Sequence, residues 1–263
     1  MRAIFLNEIK LNLKSFLIWS LAVGGLGFFC ILLYSSMEGE MQQMADAFSN
    51  MGVFSDAFGM STLSISTLTG YFATEVGAVH GLGGGMFAAI LAIGILSKEE
   101  EIHTGEFLFS LPVSRTGVMA AKGLFLILSL IGFTVLCGFL YALGFVILEE
   151  SIPAADLLKY MALQLLMDFE IAGICFLVSS FSGKNRMGMG IALTMILYFF
   201  DVIGRVVPDL KGSVIIGPYS YSNASEIFSG EEIKIAAIVI AATVTVLCIV
   251  SSFIIYNRRD LVS

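Results

Sequence analysis

Apolar runs of about 20 residues, the length a helix needs to cross a bilayer core, recur along the chain between short polar stretches. Six segments qualify: 16–34, 76–96, 123–148, 160–181, 188–207 and 235–256. The first is too long for a signal-peptide core, and no small-x-small cleavage site follows it, so it reads as a retained span. Ahead of it, residues 1–15 carry Phe5, Ile9 and Leu13 at helical spacing, continued by Phe16, with Lys10, Asn12 and Lys14 on other faces. That pattern predicts an interfacial helix, or else a positive flank for the first span. Between the first two spans, Met37, Met41, Met44, Phe48 and Met51 predict a short helix that Gly52, Gly59 and Gly70 interrupt. Its apolar stripe either packs on the span ends or offers an adaptable surface to cargo.

The polar segment 97–122 breaks the pattern most sharply. Ser97 and Glu100 form a capping-box pair. Phe107, Leu108 and Leu111 make an apolar stripe on a short helix, and Pro112 ends it. Ser114 is placed to cap the helix that leads into the third span, with Lys122 holding the loop against the membrane. A short amphipathic helix with Phe and Leu presented to water predicts docking into a groove on a partner.

Composition fits this picture. The chain has 263 residues, 57% hydrophobic and 13% charged, with mean hydropathy +0.93. A soluble domain carries about 25% charged residues. The fold class expected is all-α membrane protein, a single transmembrane domain over 1–263 with six spans. The four cysteines, Cys30, Cys137, Cys175 and Cys248, fall within apolar runs at no disulfide or zinc spacing and read as small hydrophobes.

Charge gives the orientation. Ten of the fourteen basic residues fall at the two termini, in 97–122 and in the loop at Lys184 and Arg186. The opposite ends of the spans hold Lys211, with Lys159, Arg205 and Lys234 near span ends. The positive-inside rule therefore puts both termini and the 97–122 loop in the cytoplasm. Of the 21 acidic residues behind the net charge of −7, twelve lie on the outer side. They are ordinary solvated loops or a face that attracts cationic cargo.

Charges inside spans are functional candidates. Asp168 and Asp201 lie about 12 and 9 Å in from the outer ends of the fourth and fifth spans, and Arg205 follows Asp201 one turn later. Asp168, Asp201 and Arg205 are expected to form one network, either a structural ion pair or the lining of an outward path. Glu170 is deeper, with no evident partner. Gly77, Gly81 and Gly85 place small residues on one face of the second span, a helix-packing signal within the chain or across a dimer.

No nucleotide-binding loop, HExxH or GxSxG is present, and GLGGG at 81–85 lacks the Lys-Ser/Thr of a phosphate loop. His80 and His103 are about 34 Å apart along a helix, too far to share a metal, so no metal site is expected. EEEIH at 99–103 has the look of a glutamate-dependent membrane protease but lies outside the bilayer. The chain is not expected to be an enzyme.

The stretch GEFLFSLPVSRTGVMAAK at 105–122, after acidic residues and the second of six spans, resembles the membrane permease of type-2 ABC export transporters. Glu101, Gly105, Glu106, Leu108, Pro112, Val113, Ser114, Arg115 and Lys122 match that family's pattern. The resemblance covers the chain in layout and about 25 residues in motif. It implies that the loop is a coupling helix, with Glu100, Glu101, Gly105, Glu106, Phe107, Leu108, Leu111, Pro112 and Arg115 contacting a separate cytoplasmic ABC ATPase. It implies two ATPase copies, which hold the ATP and Mg, and a second permease copy in a homodimer. The chain itself would carry no cofactor, its surroundings would be the lipid of a bacterial cell membrane, and nucleic acid would have no part. Residues 206–232, with Pro208, Gly217 and Pro218, resemble the external gate segment. A first outer loop of 39 residues is long for the family. The cargo expected is amphipathic or toxin-like peptide. An ion-coupled transporter or channel using Asp168, Glu170 and Asp201, and a sensor or scaffold, are the other readings.

Overall fold

The computed structural model describes residues 2–49, 52, 55, 63–104, 108, 110, 112–184, 186–210 and 212–259. All regular structure among them is helical. In chain order the helices are α1 (Arg2–Ser49), α2 (Leu68–Ile93), α3 (Lys98–Glu101), α4 (Arg115–Ile147), α5 (Ala154–Phe181), α6 (Met187–Val206), α7 (Ala224–Phe228) and α8 (Ile235–Arg258). Six of them, α1 through its stretch Arg2–Met37, α2, α4, α5, α6 and α8, are long and apolar enough to cross a membrane. The chain is a multi-pass membrane protein.

Burial ranks the spans. In α2 and α5, 61% of the most apolar window is buried, against 11% in α8, so α2 and α5 form the centre and α8 the rim. α1 packs along α4, and α8 along α5, while α2 lies against both α5 and α6. The core is aromatic. Phe72, fully buried, meets the rings of Tyr141, Phe145, Tyr160 and Phe228 at 5.3–6.1 Å, and Phe87 stacks on Phe133 at 4.9 Å. Rims such as Leu21, Phe29, Val135, Phe139 and Ile235 expose apolar side chains, as lipid-facing surface must.

The helices outrun the apolar runs. α2 starts at Leu68, through a π-helical turn at Phe72–Val76, and α4 starts at Arg115. As expected, Ser114 caps α4, its hydroxyl accepting from the Gly117 amide at 3.0 Å.

Residues 2–15 do not form a separate interfacial helix. They are the first turns of α1, which runs unbroken for 48 residues, roughly 72 Å. No Pro lies within it, and its first Gly is Gly24, so nothing turns the chain between segment and span. The expected Met37–Met51 helix is likewise the far end of α1. Met41 is buried there and Met44 exposed. Met51, Gly59 and Lys211 lie outside the described residues.

Ser97 stands at the N-cap position, where a helix starts as expected, but its side chain does not cap it. Its backbone is αR rather than extended, it is buried, and its hydroxyl donates to the Gly94 carbonyl. The segment it opens is the single turn α3, closed by His103 at φ 55. Of the expected docking stripe, Leu108 is helical, as is Ser110 nearby, and Leu108 donates its amide to the Thr104 carbonyl at 3.0 Å. Gly105, Glu106, Phe107 and Leu111 lie outside the described residues.

Candidate functional site

At the end of the bundle that holds both termini, four elements meet on buried charge. Glu8, on the core face of α1, is 1% exposed. Its carboxylate pairs with Lys98 at the start of α3, and its second oxygen is 3.6 Å from the Lys122 ammonium of α4. Asn12, one turn on, donates to the Glu8 carbonyl at 2.9 Å and to its carboxylate at 3.2 Å. Lys122 is fully buried and also bonds to Glu99 and to the Ile95 carbonyl, just past the C-terminus of α2, where the helix dipole favours a cation. Lys122 therefore does not lie against the membrane as expected. It is a strut inside the protein.

A second group of contacts closes the other flank. Glu100, buried, pairs with Arg259 at the end of α8. Arg115, the first residue of α4, donates to the carbonyls of Arg259 and Tyr256. Arg259 also stands 5.7 Å over the Tyr256 ring. Glu101 is exposed beside them, as is Pro112. The loop is thus pinned to α1, α4 and α8 at once. Taking one partner from such a buried pair costs about 3–5 kcal/mol, because the other charge is left bare.

The intramembrane charges divide at the opposite end. Asp201 and Arg205 pair along one turn of α6. Asp168 does not join them. It is fully buried, and neither of its oxygens has a hydrogen-bond partner. Its place is against Gly84 of α2, where a Cβ would stand 3.1 Å from the carboxyl. The single expected network is therefore one ion pair and one separate carboxyl, because the face of α5 that carries Asp168 is covered by α2. Glu170 has a partner after all, the Tyr221 hydroxyl at 2.9 Å. Buried and facing a carboxylate, the Tyr221 phenol is pushed well above its usual range and stays a donor.

Tyr221 belongs to the connection 207–234, which folds inward. It winds through short 3-10 turns at Pro208–Leu210, Val214–Ile216 and Pro218–Ser220, and then α7. Tyr219, Ser220, Tyr221, Ser222, Ala224 and Ile227 are all buried. Irregular backbone is tolerated there because protein satisfies it. Gln164 of α5 donates to the Ser222 carbonyl at 2.9 Å, Tyr219 reaches the Gly81 carbonyl at 3.4 Å, and Lys234 donates to the Ser220 carbonyl at 3.1 Å. The glycine face of α2 receives this segment. A Cβ on Gly77 would meet Ala224 at 2.6 Å, and one on Gly85 would meet the Tyr219 hydroxyl at 2.6 Å, with Ile171 and Thr194 at 3.0 Å. Gly81 has more room, with Gln164 and Tyr219 at 3.7–3.9 Å. The glycine pattern thus serves packing inside one chain. His80, on the same helix, is buried with its ring nitrogen 2.9 Å from the Tyr141 hydroxyl, and His103 is exposed beyond the other end.

Sequence reasoning missed Glu8, Glu99, Gln164, Tyr219, Tyr221 and Arg259. Glu8 left one signal. It is a lone carboxylate within the Phe5–Ile9–Phe16 stripe, which asks for a cation opposite, and Asn12, expected on another face, sits beside it.

The family model described as ABC-2 family transporter protein matches residues 2–261. No curated protein matches the chain. The chain belongs to the ABC-2 transporter family, as a non-catalytic membrane permease component of an ABC transporter.

Proposed function

We propose that the chain is the membrane half of an ATP-driven exporter, worked by a separate ATPase that docks on the 97–122 loop from the cytoplasm. In this reading both termini are cytoplasmic, the membrane is the bacterial plasma membrane, and two permeases act with two ATPases. ATP and Mg stay in the ATPase. The cargo is an amphipathic or cationic peptide, drawn by the acidic outer loops.

One observation carries the reading. The loop is clamped to α1, α4 and α8 by Glu8–Lys98, Lys122–Glu99 and Glu100–Arg259, so a push on it moves three spans together. A surface loop that only bound a scaffold would need no such anchoring. The deeper carboxyls that an ion-coupled carrier would link, Asp168 and Glu170, join no common network among the described residues: Glu170 takes the Tyr221 hydroxyl and Asp168 stands apart.

Co-purification with the ATPase tests the docking. Phe107→Asp with Leu111→Asp should abolish it while the spans still insert, since burying two carboxylates in an apolar groove is prohibitive. Retained binding would refute the docking role.

A further inference from the structure

Two buried oxygens opposite the coupling end lack a donor. Gln164 spends its amide nitrogen on the Ser222 carbonyl, and its Oε1 receives nothing. Asp201 takes Arg205 on one carboxylate oxygen, and its Oδ1 receives nothing. The two residues are 2% and 1% exposed. A buried acceptor that no protein donor reaches is open to a ligand or to water, and here two of them belong to residues that line one cavity.

Both residues line the same partly open cavity, walled by α2, α5, α6 and the connection 207–234. Its volume is about 60 Å³. That exceeds the roughly 10–15 Å³ one water needs, and it is too small for a large side chain. Tyr198 and Tyr219 also line it, meeting edge to face at 5.4 Å. Arg205 reaches the cavity with its charge already committed to Asp201. One turn along α5 from Gln164, outside the cavity's lining, the Asp168 carboxyl also receives no protein donor. The walls thus offer acceptors and aromatic rings and ask for N–H donors carrying positive charge.

We propose that this cavity binds a primary ammonium group, such as a peptide amino terminus or a lysine side-chain end. Two of its three N–H bonds go to Asp201 Oδ1 and Gln164 Oε1, and the tyrosine rings give the rest of the cation an aromatic contact. That the ammonium belongs to cargo rests on the exporter reading above. The binding itself does not.

The test uses the full chain in nanodiscs without any ATPase, titrated at constant ionic strength with butylammonium, tetramethylammonium or sodium chloride. Thermal unfolding and calorimetry are the readouts. Butylammonium should raise Tm saturably, and the other two cations should not. Gln164→Leu should weaken its binding about tenfold and Gln164→Glu should strengthen it about tenfold, the order expected of one hydrogen bond to a charged group. A packing role alone would not give opposite signs. An equal response to tetramethylammonium or to sodium would overturn the proposal, since charge and not N–H donation would then be read. So would indifference of both Gln164 variants. Because no ATPase is present, failure here leaves the docking reading standing, and failure of docking appears only in the co-purification.

Discussion

Glu8 shows how much one side chain can hold. It is a carboxylate on the core face of a span, inaccessible to water, and it receives Lys98, Lys122 and Asn12. Glu8→Gln removes the charge and keeps the shape, leaving two ammonium groups short of a partner, one of them fully buried. Stability should fall by about 3–5 kcal/mol, read as a lower midpoint in denaturant or thermal unfolding. Adding Lys122→Met should restore part of the loss, since contacting residues do not act additively. A Glu8→Gln protein as stable as the parent would mean that the cluster is solvated and holds nothing.

At the scale of elements, the connection 207–234 works as a plug seated on the glycine face of α2. Gly85→Val should unseat it. The added carbons fall where the Tyr219 hydroxyl, Ile171 and Thr194 already are, and overpacking of that kind costs about 1–3 kcal/mol. Limited proteolysis within 207–234 should accelerate in the variant. Unchanged cleavage would contradict the docking of the plug. Elements were also what the sequence displayed best. Six spans followed from apolar length alone, and the Ser114 cap from one hydroxyl before a helix. Other features had no local cause to display. Residues 2–15 looked like a separate helix because their lysines mark a face, but with no Pro or Gly before Gly24 the helix simply continued. Ser97 matched a capping box by spacing, yet an αR backbone at that position undid it. Glu170 and Tyr221 are 51 residues apart, and Glu100 and Arg259 are 159 apart. Pairings of that range depend on how the spans pack, which no periodicity encodes.

For the whole molecule, polar structure divides between the two ends of a greasy bundle. One end ties both termini, the loop and the start of α4 into a single charged joint. The other holds the plug, the Asp201–Arg205 pair and the small acceptor-lined cavity. Between them run α2 and α5, the two most buried spans; α2 leads through Ile95 into the Lys98 turn at one end, and the pair carries Gln164, Asp168 and the glycine face toward the other. A displacement of the loop therefore has a direct mechanical route to the plug through α2. The measurement that tests this most directly is peptide-stimulated ATP hydrolysis and peptide export in proteoliposomes holding Glu8→Gln permease with its ATPase, assayed below the variant's unfolding temperature. The account predicts that the ATPase still co-purifies at the parental ratio while export per ATP hydrolysed drops about tenfold or more, the equivalent of about 1.4 kcal/mol of lost coupling. Export per ATP at the parental level, with Glu8 neutralised and the complex intact, would contradict it.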